Sequence, residues 1–257
     1  MEISYEIIFF LVVTLGFTLS GVIGFGANVL TMPVLSLFFE ISDLVVVLAL
    51  ISFTNAVYRV YESRAGILWK KLGIMLLVSL PGAVTGMWLL ESLPEDWMKL
   101  ILGLFVVVVA CYNLRCHTTM KTQEVLAQES RKETLFYHIL LFFGGVLQGA
   151  FVCGGPLYVI YCSHYFGHVR LQFRGMQFGI LLVNSCYIFL SYLFRGAYTK
   201  ALMIQSAVGL AGFLAAVVIS AIVLRRIKDA DLYRLIQIVL AISGLSLLIQ
   251  AGCNLVF

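Results

Sequence analysis

The sequence predicts an all-α integral membrane protein made of two inverted repeats, each a broken-helix hairpin followed by three transmembrane helices. Three observations lead there: an apolar composition, eight hydrophobic tracts in two matching sets of four, and a one-sided distribution of positive charge.

Composition excludes an ordinary soluble domain. The 257 residues are 61% hydrophobic and only 12% charged, with mean hydropathy +1.02, whereas soluble domains carry about 25% charged residues. That much apolar surface needs lipid as solvent, and at about 20 residues per crossing the chain has room for roughly eight spans. The net charge of +4 sits in loops and forms no stripe for nucleic acid. The six cysteines, Cys111, Cys116, Cys153, Cys162, Cys186 and Cys253, show neither paired nor metal-ligand spacing. His117, His138, His164 and His168 are likewise scattered, so no metal or cofactor is expected. The N-terminus lacks a basic region and a small-residue cleavage site, and reads as the first mature segment.

The tracts are 7–39, 44–60, 72–90 and 97–114, then 135–166, 176–194, 201–224 and 232–253. The polar stretch 115–134 divides them, so the expected organisation is a first repeat 1–114, a cytoplasmic linker 115–134 and a second repeat 135–257. The opening tract of each set is too long for one pass and carries a glycine cluster near its middle. The first runs from Gly21 through Gly24, Gly26, Ala27 and Asn28 to Pro33; the second runs from Gly149 through Cys153, Gly154 and Gly155 to Pro156. Glycine permits positive φ and proline removes a donor, so each opening tract is expected to be two shorter helices joined by a non-helical turn.

The two sets also align. Gly21 falls on Gly149 and Gly26 on Gly154, and at an offset one residue longer Asn55-Ala56-Val57-Tyr58 falls on Asn184-Ser185-Cys186-Tyr187. Such self-similarity is the mark of an internal repeat.

Charge then chooses the topology. If each opening tract crosses once, the 17 Lys and Arg residues divide almost evenly. If each is a hairpin returning to its own side, all but Lys99, Arg195 and Lys200 fall on one side. The positive-inside rule favours the hairpins, with both termini outside and the linker in the cytoplasm of a cell-membrane protein. Each half then makes an odd number of full crossings, so the halves run inverted.

Unpaired backbone cannot face lipid, so the glycine turns are expected where the halves meet. A helix restarting after such a turn offers free N–H groups and the positive end of its dipole to an anion. The candidate substrate-binding groups are Gly24, Gly26, Ala27, Asn28, Cys153, Gly154 and Gly155 at the turns, with Gln148, Asn55 and Asn184 as neutral hydrogen-bonding partners. Arg59 and Arg174, near tract ends, would draw an anion to the inner mouth. Gly21, Pro33, Gly149 and Pro156 are read as structural. Each has a plainer reading: small residues let membrane helices approach closely and Asn bonds neighbouring helices, and arginines at tract ends snorkel to headgroups.

These motifs carry a family resemblance. The stretch GVIGFGANVLTMP from Gly21 to Pro33, GAFVCGGP from Gly149 to Pro156, and Phe173-Arg174-Gly175 leading the next tract resemble the TauE/SafE family of sulfite exporter-like permeases over nearly the whole chain. The resemblance implies transport of small anions, often sulfur-containing, such as sulfite or sulfoacetate. Ala27-Asn28 departs from it, standing where the family commonly has further glycine.

No Asp or Glu lies mid-tract, although proton-coupled carriers keep an ionisable group on the path. With the inside negative, one negative charge leaving gains about 2.3 kcal/mol per 100 mV. The expected function is therefore potential-driven export of a small sulfur-containing or carboxylate anion by alternating access. An anion channel and an ion-coupled uptake carrier are the alternatives. No nucleophile motif or paired aspartate suggests an enzyme. The expected partners are the anion and the lipid bilayer; a homo-oligomer is compatible with the sequence.

Overall fold

A computed structural model describes residues 3–23, 26–116, 131–223 and 244–251, and these residues contain helices and turns but no strand. In chain order the helices are α1 (Ile3–Ile23), α2 (Ala27–Leu35), α3 (Ile41–Ser63), α4 (Trp69–Ser92), α5 (Glu95–Cys116), α6 (Arg131–Phe151), α7 (Gly155–Phe166), α8 (Arg170–Phe194) and α9 (Lys200–Val223). Residues 244–251 form a further helix, α10. Five described segments are long and apolar enough to cross a membrane: Ile41–Gly66, Trp69–Ser92, Thr134–Phe151, Arg170–Phe194 and Lys200–Ile222.

Several helices outrun the hydropathy tracts. Hydropathy marks where lipid begins, whereas backbone hydrogen bonding carries a helix on into the interface. So α3 continues past residue 60 to Ser63, and α8 starts at Arg170 rather than at 176, which places Arg174 inside the helix. Pro33 lies within α2 and does not end it. The expected linker 115–134 shortens from both ends, because α5 runs to Cys116 and α6 begins at Arg131; its centre is outside the described residues.

Each opening tract turns back on itself. Phe39, beyond the end of α2, meets Tyr5 and Phe9 at the start of α1 edge-on, with ring centroids 6.1 and 5.8 Å away. In the second half His164 of α7 stacks on Tyr137 near the start of α6 at 3.9 Å. α1, of 21 residues, spans about 31 Å at 1.5 Å per residue, and α2, of nine, only about 13 Å.

The long helices pair across the halves. α3 and α8 cross antiparallel: Phe53 stacks on Phe189 with centroids 5.6 Å apart, and Gly66 sits against Leu171. α1 runs parallel to α9, with Phe17 edge-on to Phe213 at 5.5 Å and Gly21 against Ser220. α4 runs parallel to α6, where Gly82 and Gly86 meet the backbone around Gly145, Gly149 and Ala150. A side chain at Gly66, Gly82, Gly86, Gly145 or Gly149 would collide with the facing backbone, and one at Gly21 with the Ser220 side chain. Close approach matters here because lipid gives apolar helices no reason to associate beyond contact itself.

The polar ends differ in charge. Arg59, Arg64, Lys70, Lys71, Arg170 and Arg174 lie at the end where α3 finishes and α4 and α8 begin. The opposite end carries Glu91 paired with Arg195, and Glu95 paired with Lys99 at 2.8 Å.

Candidate functional site

The two breaks in the opening tracts face each other. At the first, Gly26 takes φ 89°, a left-handed conformation that favours glycine, and α2 starts at the next residue. At the second, α6 ends at Phe151 and Val152 follows at φ 56°, an uncommon position for a β-branched residue. The Val152 N–H donates to Gln148 O at 2.9 Å and the Cys153 N–H to Leu147 O at 3.2 Å. The Gly154 N–H donates to the Gln148 side-chain oxygen at 2.9 Å. The N–H groups of residues 152–154 are therefore satisfied from α6 itself.

Three hydrogen bonds hold the breaks to each other and to α3. The Asn28 amide donates to the Val152 carbonyl at 2.8 Å and to Ser52 Oγ at 2.6 Å. The Cys153 thiol donates to the Asn28 carbonyl at 3.3 Å. Gln148 extends the set by donating to Ser185 of α8 at 3.2 Å.

Between them lies a cavity of about 50 Å³, room for about three to five waters at 10–15 Å³ each. α1 contributes Phe17 and Ser20 to its wall, and the first break with α2 contributes Gly26, Ala27, Asn28 and Val29. α3 adds Ser52, Asn55 and Ala56; α6 and the second break add Gln148, Val152, Cys153 and Gly155; α8 adds Phe178, Leu181 and Ser185. Every one of these side chains is neutral. The first helical bond of α2 runs from the Leu30 N–H to Gly26 O, so the N–H groups of Ala27, Asn28 and Val29 precede the helix ladder. The dipoles of α2 and α7 both begin at this wall, which favours negative charge.

The structure sorts the residues singled out in the sequence. Gly26, Ala27, Asn28, Asn55, Gln148, Cys153 and Gly155 are in the wall. Gly154 stands behind it, against Gln148. Gly24 is outside the described residues. Asn184 is fully buried away from the cavity and donates to Ser79 at 3.1 Å, Tyr158 at 3.3 Å and Ile180 O at 3.0 Å. Gly21 and Gly149 lie at helix contacts, against Ser220 and Ala83, and Pro156 occupies the first turn of α7.

Arg59 and Arg174 do not line the cavity but continue its stripes. Ser52, Asn55 and Arg59 follow one face of α3, and Arg174, Phe178, Leu181 and Ser185 follow one face of α8. Both arginines thus stand one turn beyond the wall at the linker end. Arg59 is paired with Glu62 at 3.5 Å.

Sequence reasoning missed Ser20, Ser52 and Ser185. Ser52 lies one turn before Asn55, a readable signal. Ser185 was hidden by the Asn-x-x-Tyr alignment, which pointed to Asn184, one residue and about 100° away on the helix.

The family model of the sulfite exporter TauE/SafE matches residues 8–247. The chain belongs to the TauE/SafE family. Neither a curated protein nor a solved structure matches it. As a TauE/SafE protein it is a multi-pass membrane transporter of the anion or sulfite type, and not an enzyme.

Proposed function

We propose that this TauE/SafE protein is a secondary transporter that exports small sulfur-containing or carboxylate anions, holding the anion between its two helix breaks. The observation that carries this reading is the joining of the breaks by Asn28 and Val152 beside a neutral, polar cavity bounded by two helix N-termini. Such termini and amides stand in for an anion's water shell.

Inverted repeats over 1–114 and 135–257 are supported by pairing. Equivalent helices α3 and α8 run antiparallel, and the equivalent pairs α1 with α9 and α6 with α4 both run parallel. A two-fold axis in the membrane plane relates helices in this way. The return of both hairpins to their own ends agrees with the topology that collects positive charge on one side, putting the linker in the cytoplasm and the termini outside. Arg59 and Arg174 would then draw anions to the inner mouth. Toward the end read as outer, the buried residues Leu48, Ile51, Ile188 and Tyr192 would close the path. Alternating access would rock the halves about the breaks, driven outward by the membrane potential.

The test is a thermal-shift screen of the purified protein against sulfite, sulfate, thiosulfate, sulfoacetate and short carboxylates, followed by efflux from proteoliposomes. At least one anion should stabilise the protein and leave saturably, with counterflow. Stabilisation by none, or flux that never saturates, overturns the reading.

A further inference from the structure

We infer that the cavity takes a singly charged oxyanion of about four heavy atoms and excludes doubly charged ones, so that an acid ionising near neutral pH is carried in its protonated form. This rests on the transport reading above and narrows it.

The polar groups in the wall are the hydroxyls of Ser20, Ser52 and Ser185 and the amides of Asn28, Asn55 and Gln148. Two of those amides are already committed: Asn28 to Ser52 and Val152, Gln148 to Gly154 and Ser185. Among the described residues, what remains is a few neutral donors and the first-turn N–H groups of α2. Removing an ion from water costs free energy that rises with the square of its charge, so a dianion pays about four times as much as a monoanion. Only a full positive charge could offset that. Neither Arg59 nor Arg174, one turn further along α3 and α8, is part of the lining, and Arg59, beside Gly21, already faces Glu62 at 3.5 Å. The membrane potential favours the exit of a dianion more, but it does not lower this entry cost.

A cavity of about 50 Å³ matches three to five waters, hence an anion such as hydrogen sulfite or nitrate. Sulfoacetate, a dianion, fails on charge.

The proton follows from the charge. Sulfite and a cytoplasmic proton combine in water to give hydrogen sulfite, and that ion enters. A proton thus leaves with each substrate although no carboxylate lies mid-helix to carry one. The titratable and charged groups facing the cavity region are Cys153 in the wall and Arg59, Glu62 and Arg174 at its inner edge; nitrate, whose charge is constant, controls for their titration.

The experiment uses the full chain in proteoliposomes, with protein-free vesicles as background. Sulfite flux at constant total concentration is measured from mildly acidic to mildly alkaline pH, with nitrate or sulfate as competitor. The expected result is flux that tracks the hydrogen sulfite fraction, falling about tenfold per unit above the second ionisation of sulfite, with pH-independent inhibition by nitrate and none by sulfate. Flux that stays level or rises with pH, inhibition by nitrate that falls in parallel, or sulfate competing as well as nitrate overturns the inference. Asn55→Lys, which places a cation in the wall, should let sulfate compete; a folded variant that still excludes it counts against the charge argument. If sulfite moves at no pH while another screened anion does, the inference alone fails; if none of the screened anions moves, the transport reading fails with it.

Discussion

The Asn28 side chain, at the start of α2, donates at 2.8 Å to the carbonyl of Val152, 124 residues away just past the end of α6. One amide thereby ties the two helix breaks together, while its second hydrogen reaches Ser52 on α3. Both amide hydrogens are thus committed, and Asn28 is at once a structural tie and a residue of the cavity wall.

Asn28→Asp preserves shape but sets a carboxylate against the Val152 carbonyl and in the wall of the cavity. Thermal stabilisation by anions should vanish. Asn28→Ala should lower stability by about 1–3 kcal/mol, because the Val152 carbonyl loses its donor, and should weaken anion stabilisation without abolishing it. Thermal melts of both variants, with and without anion, check this.

Gly155 opens onto free space: a Cβ there would meet nothing within 4 Å. Gly155→Val should therefore fold normally yet fill the cavity, cutting flux at least about tenfold. The contrast is Gly86→Val, whose side chain would run into the Val146 carbonyl on α6. Overpacking of this kind costs about 1–3 kcal/mol, so that variant should melt lower. Paired melting and flux measurements separate the two effects.

Asn55 and Asn184 occupy matching places in the two halves but different surroundings. Asn55→Ala should reduce flux and leave the melting temperature nearly unchanged. Asn184→Ala strips a shared donor from Ser79 and Tyr158, both fully buried, and should cost about 1–3 kcal/mol of stability. Equal melting losses in both would contradict the assignment.

Sidedness can be read with an impermeant thiol reagent on cells. A cysteine replacing Glu91, which is exposed at the acidic end beside Arg195, should label from outside. One replacing Lys71, at the basic end against Phe166, should label only after permeabilisation. The reverse pattern would invert the topology and place Arg59 and Arg174 at the outer mouth.

Much of this molecule was legible in its sequence because the relevant signals are local. Membrane class followed from 61% hydrophobic residues, since lipid is the only solvent for so much apolar surface. Helix punctuation was readable because glycine and proline act on their own backbone: α1 stops before Gly26, and α7 starts at Gly155 beside Pro156. The basic character of one end was countable from loop residues. Helix ends were less readable, as at Arg174, because hydrogen bonding outlasts hydropathy.

The tertiary structure alone decided which faces meet. Whether Asn184 or Ser185 looks into the cavity depends on about 100° of helix rotation, and that is set by packing of α8 on α3 and α4 rather than by any motif. The Asn28–Val152 contact, the antiparallel crossing of α3 and α8, and the convergence of Ser20, Ser52 and Ser185 on one small cavity join residues far apart in the chain. Local propensity acts over a few residues; these relationships arise only when whole helices dock.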